Sequence, residues 1–130
     1  MAFKALGGKL VMHHGWADQN IAPRNSINYY NSVIADQGSE AKTQEFMRLF
    51  MVPGMNHCSG GAGPNTFNAL AVLEQWVEKG TAPTQIAASK VGADGKTLFT
   101  RPLCVLPQVE TYKGSGDIND AANFACGNPK

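Results

Sequence analysis

The chain has 130 residues, a length that suits one domain or part of a larger one, and 43% of them are hydrophobic, which is too many for a disordered protein. Its formal net charge is only +1 and its basic residues form no patch, so we expect no nucleic-acid partner. The apolar stretches are far shorter than the roughly 20 residues that cross a bilayer, so we expect no membrane partner either.

The first half of the chain alternates strand and helix patterns. Residues 9–14 (KLVMHH) are mostly apolar and lie between glycines, which predicts a buried strand. Residues 23–34 begin with proline and carry apolar side chains at helical spacing, which predicts a helix. After a break at residues 37–39, residues 46–52 (FMRLFMV) predict a second strand, which a Pro-Gly pair ends.

The second half begins with a glycine-rich loop at residues 56–65, for which we expect flexibility. The clearest helix pattern in the chain follows at residues 66–79. Asn65 or Thr66 can cap this helix, and Gly80 can end it. Its apolar stripe consists of Phe67, Leu70, Leu73, Trp76 and Val77.

The C-terminal third predicts a hairpin and then an irregular tail. Residues 86–91 and 97–99 flank the turn sequence GADG, which is typical of a β-hairpin. From residue 101 onward the chain is rich in proline, glycine and asparagine, so we expect no regular element there.

Strand, helix, strand, helix with short connections predicts the α/β class, with a parallel sheet covered by helices. Right-handed crossovers place successive strands side by side. A parallel sheet needs helices on both faces, and this chain offers only two convincing ones. We therefore expect the last strands of a larger sheet.

Two residues that could carry chemistry follow the two predicted strands. Asp18 lies in the loop after the first strand, and His57 lies just after the second. Ligands gather beyond the carboxyl ends of the strands in open α/β sheets. Acid first and histidine last is also the chain order of α/β-hydrolases, in which the imidazole takes a serine proton and the carboxylate orients it. The alternative is structural, with a turn aspartate and a histidine that only packs.

Neither a metal nor a phosphate site is expected. His13 and His14 are adjacent on a strand and point to opposite faces, so they cannot bind one ion together; one should pack in the core and the other beside the Asp18 loop. Residues 59–63 (SGGAG) lack the Gly-Lys-Ser/Thr ending of a P-loop. The three cysteines fit no zinc pattern; their odd number predicts one disulfide and one other thiol.

A serine nucleophile is missing from these patterns. No serine lies in a Gly-x-Ser-x-Gly turn between a strand and a helix, the arrangement that exposes a nucleophilic hydroxyl. The serines are Ser26, Ser32, Ser39, Ser59, Ser89 and Ser115. A hydrolase of this class would carry its serine before Asp18, upstream of Met1.

Segments along nearly the whole chain are similar, in order, to those of one enzyme family. Residues 8–18 (GKLVMHHGWAD) resemble the segment that carries its acid, and residues 48–61 (RLFMVPGMNHCSGG) resemble the segment that carries its histidine. Residues 101–104 (RPLC), 112–117 (YKGSGD) and 121–126 (AANFAC) resemble its C-terminal tail. The family is that of tannases and feruloyl esterases.

The resemblance implies that residues 1–130 are the C-terminal part of an α/β-hydrolase catalytic domain, with the nucleophile segment and the lid domain outside it. Asp18 would be the acid, His57 the base, and Cys58 half of a disulfide with a cysteine beside the upstream serine. Cys104 and Cys126 would form the second disulfide. No cofactor is expected here, because the calcium site of some members lies in the lid.

The resemblance also implies a secreted or periplasmic carboxylic ester hydrolase that cleaves small esters of gallic and hydroxycinnamic acids. Residues 1–8 themselves carry no signal-peptide pattern. Without the nucleophile, the isolated chain should be inactive. The alternatives are a non-catalytic binding or scaffold domain derived from such an enzyme, and a fragment that folds without a function. Because the missing sheet would leave a strand edge uncovered, we expect the isolated chain to be a homo-oligomer.

Overall fold

The computed structural model describes residues 2–129. Short helices and strands alternate in the first half, and strands dominate the second. In chain order the elements are α1 (Ala2–Ala5), β1 (Leu10–Gly15), α2 (Arg24–Gln37), α3 (Glu40–Gln44), β2 (Met47–Val52), α4 (Ala69–Lys79), β3 (Gln85–Val91), β4 (Thr97–Cys104), β5 (Val109–Tyr112), a 3₁₀ turn (Ala121–Asn123) and β6 (Phe124–Gly127). No helix among these residues is long and apolar enough to cross a membrane.

The first two strands form the predicted parallel pair. Leu10 lies opposite Met47, and the register runs without a shift to Gly15 opposite Val52. Five of the six residues of β2 are buried, because each face of the pair is covered. One face packs against the β3–β4 hairpin in a cluster that includes Phe50, Val52, Met55, Ile86 and Leu103. The other packs against α2 in a cluster that includes Tyr30, Val33, Met47, Leu49 and Met51.

Helix α2 is longer than the sequence pattern predicts. Pro23 precedes its first residue, and Gly38 ends it in the left-handed conformation, with φ of 80°. Helix α3 follows at once and was not predicted. Ser39 caps α3, its hydroxyl accepting the backbone N–H of Lys42 at 3.2 Å.

The start of α4 was predicted three residues too early. Its cap is Asn68, whose side-chain oxygen accepts the N–H of Ala71 at 2.9 Å, and neither Asn65 nor Thr66 has that role. Those two residues instead donate their backbone N–H groups to the Ser89 carbonyl on β3, which keeps them out of the helix. The predicted end at Gly80 is confirmed, with φ of 69°.

The predicted apolar stripe of α4 is only partly right. Trp76 is buried, but Leu70 and Val77 are 65% and 60% exposed. Phe67 lies before the helix begins and packs against the first core cluster. The buried face of α4 therefore differs from the face that the apolar spacing predicts.

The tail contains regular structure that the sequence did not predict. Strand β4 extends the predicted hairpin as far as Cys104, and β5 pairs with β6 in antiparallel fashion. A disulfide joins Cys104 on β4 to Cys126 on β6, with a Cα–Cα distance of 5.5 Å, and confirms that predicted pairing. The tail is therefore a second hairpin-like layer attached to β4.

Candidate active site

The loops that follow β1 and β2 begin at the same end of the parallel pair, the carboxyl end, and stay in contact. Beyond the strands, the N–H of Trp16 donates to the Val52 carbonyl at 2.9 Å. The N–H of Ala17 donates to the Met55 carbonyl at 3.0 Å. Hydrogen bonding of the ladder type thus continues into the loops and draws the segment of Asp18 towards the segment of His57.

Two glycines permit close backbone contacts around these loops. A Cβ on Gly15 would overlap the carbonyl oxygen of Met55, and one on Gly63 would overlap that of Pro53. Only glycine allows backbone to approach backbone this closely. The glycine-rich loop, which the sequence suggested was a flexible connection, is folded tightly against the residues that precede His57.

The structure brings Asp18 and His57 together, although 39 positions separate them in the sequence. The Nδ1 atom of His57 lies 2.8 Å from Oδ2 of Asp18, whose side chain is only 4% exposed. Oδ1 of the same carboxylate accepts the backbone N–H groups of Asn20 at 2.8 Å and Ile21 at 2.9 Å.

The carboxyl group of Asp18 is held in its ionised form. Its burial acts to raise its pKa, but the hydrogen bonds from Ile21, His57 and Asn20 outweigh that effect, and the pKa lies well below its usual range. An ionised carboxylate only accepts hydrogen bonds. Nδ1 of His57 therefore carries a proton, and Nε2 is the basic nitrogen of the neutral ring.

His57 lines a cleft and keeps one ring nitrogen free of hydrogen bonds to the described residues. The imidazole is 39% exposed, and Nε2 has no hydrogen-bond partner within residues 2–129. The cleft has a volume of about 290 Å³ and is also lined by Ile21, Met55 and Cys58. A basic nitrogen at the wall of a partly apolar cleft can remove a proton from a hydroxyl group placed there.

The two adjacent histidines have different surroundings. His13 is exposed, and its ring packs edge-on against Phe67 with 5.0 Å between ring centroids. Neither histidine is fully buried, so the expectation that one of them packs in the core is wrong. His14 is the member of the pair that lies beside the Asp18 loop, with Nε2 3.0 Å from Oδ2 of Asp18. Sequence reasoning missed this bond and the contact of Nδ1 with the Ser26 hydroxyl at 2.7 Å. The available signal for the His14–Asp18 bond was that the two residues lie four positions apart with Gly15 between them, so that a turn can bring their side chains together.

The remaining residues singled out from the sequence contribute no metal site and no nucleophile within the described part of the chain. No group of three His, Cys, Asp or Glu side chains there is arranged to hold a metal ion. Cys58 is exposed and forms no disulfide with another described cysteine. Its φ of 60° places it in the left-handed region, unusual for a residue other than glycine. Among residues 2–129, no serine hydroxyl forms a hydrogen bond with His57.

The chain is similar to known proteins over almost its entire length. The family described as "Tannase and feruloyl esterase" matches residues 1–127. The chain is 48% identical to a mono(2-hydroxyethyl) terephthalate hydrolase of Piscinibacter sakaiensis, covering 98% of this chain and 21% of that protein. It is 44% identical to a probable feruloyl esterase of Arthroderma benhamiae, covering 96% of this chain and 24% of the relative.

A solved structure agrees with this assignment. The crystal structure of feruloyl esterase B from Aspergillus oryzae superposes with a TM-score of 0.88 at 29% identity, over 96% of this chain and 28% of that one. The chain thus spans about a quarter of the length of the proteins that it matches. Its fold is the C-terminal portion of an α/β-hydrolase, with the last parallel strands, their helices, a hairpin and a disulfide-linked tail. The chain belongs to the tannase and feruloyl esterase family.

Proposed function

We propose that this chain provides the acid and the general base of a serine carboxylic ester hydrolase. The observation that carries the proposal is the 2.8 Å contact between Asp18 Oδ2 and His57 Nδ1, which leaves Nε2 free on a residue that lines a cleft. Membership in an esterase family supports the same reaction class. The serine and the oxyanion hole would come from a part of the protein outside this chain.

The chemistry assigns one role to each of the two side chains. Nε2 of His57 takes the proton of the serine hydroxyl as the oxygen attacks the ester carbonyl, and later returns a proton to the leaving alcohol. Asp18 keeps the proton on Nδ1, fixes the plane of the ring and stabilises the imidazolium that forms. Deacylation repeats the sequence with water in place of serine.

We infer that the substrates are small esters of aromatic acids, such as hydroxycinnamic or gallic acid. The names of the relatives support this class, since ferulate and terephthalate both derive from aromatic acids. The apolar side chains of Ile21 and Met55 beside His57 suit an aromatic ring. The disulfide between Cys104 and Cys126 supports an oxidising compartment, the cell exterior or the periplasm.

We further propose that the chain is a partial catalytic domain and does not hydrolyse esters alone, because a base without a positioned hydroxyl is a weak catalyst. The test compares the purified chain with a hybrid in which it replaces the matching segment of the Piscinibacter sakaiensis hydrolase. Methyl ferulate, methyl gallate and a nitrophenyl ester serve as substrates. We expect no turnover by the chain and turnover of about 1 per second or faster by the hybrid.

The matched control is His57→Ala in the hybrid, which should lower kcat by at least about 10⁴-fold. Turnover by the isolated chain that depends on His57 would show that the nucleophile lies within it. A folded hybrid without activity would instead favour the scaffold alternative.

A further inference from the structure

His14 makes a second, separate bond to the acid of the candidate site. Its Nε2 atom lies 3.0 Å from the same Oδ2 of Asp18 that accepts Nδ1–H of His57. Nε2 also lies 3.2 Å from the Ile21 carbonyl oxygen. Both neighbours are acceptors, so Nε2 must carry a proton. His14 and His57 therefore have opposite tautomers in their neutral forms.

The hydroxyl of Ser26 fixes the other side of the His14 ring. Its Oγ lies 2.7 Å from Nδ1, which in this tautomer has a free lone pair. The Ser26 hydroxyl thus donates a hydrogen bond to Nδ1 of His14, and Nε2–H of His14 donates one to Asp18. The His14 ring is only 12% exposed, so water competes little for either bond.

The carboxylate of Asp18 is consequently saturated with donors. Two backbone N–H groups hold Oδ1 and two imidazoles hold Oδ2, which matches the roughly four lone pairs of a carboxylate. The group is almost completely buried and has no freedom to rotate without losing a bond. His57, in contrast, is 39% exposed and has one side-chain bond within residues 2–129, to Asp18. The position of the base therefore depends on the orientation of this carboxylate.

We propose that His14, oriented by Ser26, is a positioning residue for the Asp18–His57 pair. It acts in two ways. It fixes the plane in which Oδ2 meets His57, and it draws electron density from Oδ2, so that the shared proton stays on the imidazole when His57 becomes charged. The role in catalysis rests on the proposed function, whereas the hydrogen-bond network can be tested without it.

The first test uses the chain itself, labelled with nitrogen-15 histidine and studied by long-range proton–nitrogen NMR. We expect His14 to carry its proton on Nε2 and His57 to carry its proton on Nδ1, each as a single tautomer. A proton found on Nδ1 of neutral His14 would overturn the proposal, because the bonds to Asp18 and Ser26 would then be reversed. This measurement needs no variant and no activity.

Two substitutions then separate the donor from the volume of the ring. His14→Phe keeps a flat ring and removes both bonds, and we expect the single tautomer of His57 to be lost. His14→Gln keeps an N–H donor near the position of Nε2 and should preserve it. An unchanged His57 spectrum in folded His14→Phe would contradict the positioning role.

Ser26 provides a milder variant with a matched control. Ser26→Ala removes the hydroxyl that holds Nδ1, and we expect the two tautomers of His14 to mix. Ser32 lies on the same helix, and its hydroxyl donates only to the Tyr29 carbonyl of that helix, so Ser32→Ala should leave all histidine signals unchanged. Equal spectra for the two variants would contradict the role of Ser26.

The second test measures kinetics in the hybrid enzyme. His14→Phe should lower kcat by about 10- to 100-fold with little change in KM, since a small misplacement of a catalytic group has costs of this order. His14→Gln should recover most of that loss. A rise in KM alone would instead show that His14 contacts the substrate. If the hybrid is inactive but the tautomers are as stated, the proposed function fails and the network remains.

Discussion

The parallel strand pair and the C-terminal tail hold their structure in different ways. In β2, five of six residues are buried between two apolar clusters. In β5 and β6 no residue is fully buried, and the tail is held by the disulfide of Cys104 and Cys126. The guanidinium of Arg101 adds to this by lying 4.2 Å from the ring centroid of Phe124.

The difference shows which part of the chain controls the chemistry. Asp18 and His57 extend from strands whose positions are fixed by buried apolar contacts, and their own contact is fixed by hydrogen bonds to a buried charge. The tail lies next to β4 and takes no part in the cleft around His57. Substitutions in the two regions should therefore separate activity from stability.

The largest expected effect is that of Asp18→Asn on activity. An amide in place of the carboxylate offers a donor to His57 and favours the wrong tautomer, so we expect kcat of the hybrid enzyme to fall by about 10⁴-fold. The control is Asp94→Asn in the exposed hairpin turn, which should have no effect on kcat. Steady-state kinetics on methyl ferulate measures both. A loss below tenfold would argue that Asp18 only shapes its loop.

Removal of the tail disulfide should lower stability and leave the site around His57 unchanged. The chain-entropy model gives about 3 kcal/mol for a loop of this length, in which 22 positions separate the cysteines. We expect Cys104→Ala with Cys126→Ala to lower the free energy of unfolding in urea by about that amount. The histidine tautomers of the folded variant should be unchanged. A change in the His57 signals would show that the tail supports the site.

The same contrast explains what could be predicted from the sequence. The strands carrying Asp18 and His57 have apolar runs bounded by glycine and proline, and parallel pairing then places both loops at one edge. The β5–β6 pair has no such runs, because its residues are half exposed and its order depends on the disulfide that joins β6 to β4. The start of α4 was also missed, since the backbone contact of Thr66 with Ser89 comes from tertiary structure. One of His13 and His14 was expected beside the Asp18 loop, but the bond of His14 to Asp18 depends on how the chain turns at Gly15.

A smaller effect concerns acid stability. The pKa of Asp18 is lowered in the folded chain relative to about 3.9 in an unfolded one. Its contribution to stability is therefore fully present above about pH 4 and is lost as the pH falls towards the lowered pKa. We expect the difference in unfolding free energy between wild type and Asp18→Asn to shrink as the pH falls below about 4.

Glu45 provides the comparison for this measurement. Hydrogen bonding and charge attraction from Lys4 also lower its pKa, but the pair lies at the surface, where such bridges contribute little. Glu45→Gln should therefore change the acid limb of the urea-derived stability curve much less than Asp18→Asn. Equal effects of the two substitutions would mean that burial of Asp18 has no energetic consequence.

The smallest expected effect is weak self-association through β1. This strand pairs with β2 along one edge, and the other edge has no strand partner among the described residues. An apolar cleft of about 220 Å³ lies near the start of the strand pair, lined by Phe3, Leu10, Tyr29, Val33, Phe46 and Met47. Unpaired edges next to apolar surface favour pairing with a second copy. A strand of six residues provides a small contact, so we expect a reversible dimer that forms only at high concentration.

Light scattering over a dilution series measures this association. Tyr29→Lys places a charge in the cleft and should shift the chain to the monomer. Leu98→Lys, at a similarly exposed apolar side chain on the distant hairpin, should leave the dimer unchanged. Reductant distinguishes the route through the strand edge from a disulfide between two copies of Cys58, which is exposed. A monomer at every concentration would mean that α1 and α2 cover β1 and the cleft adequately. The strand pair would then need no further partner, whereas the tail still needs its disulfide.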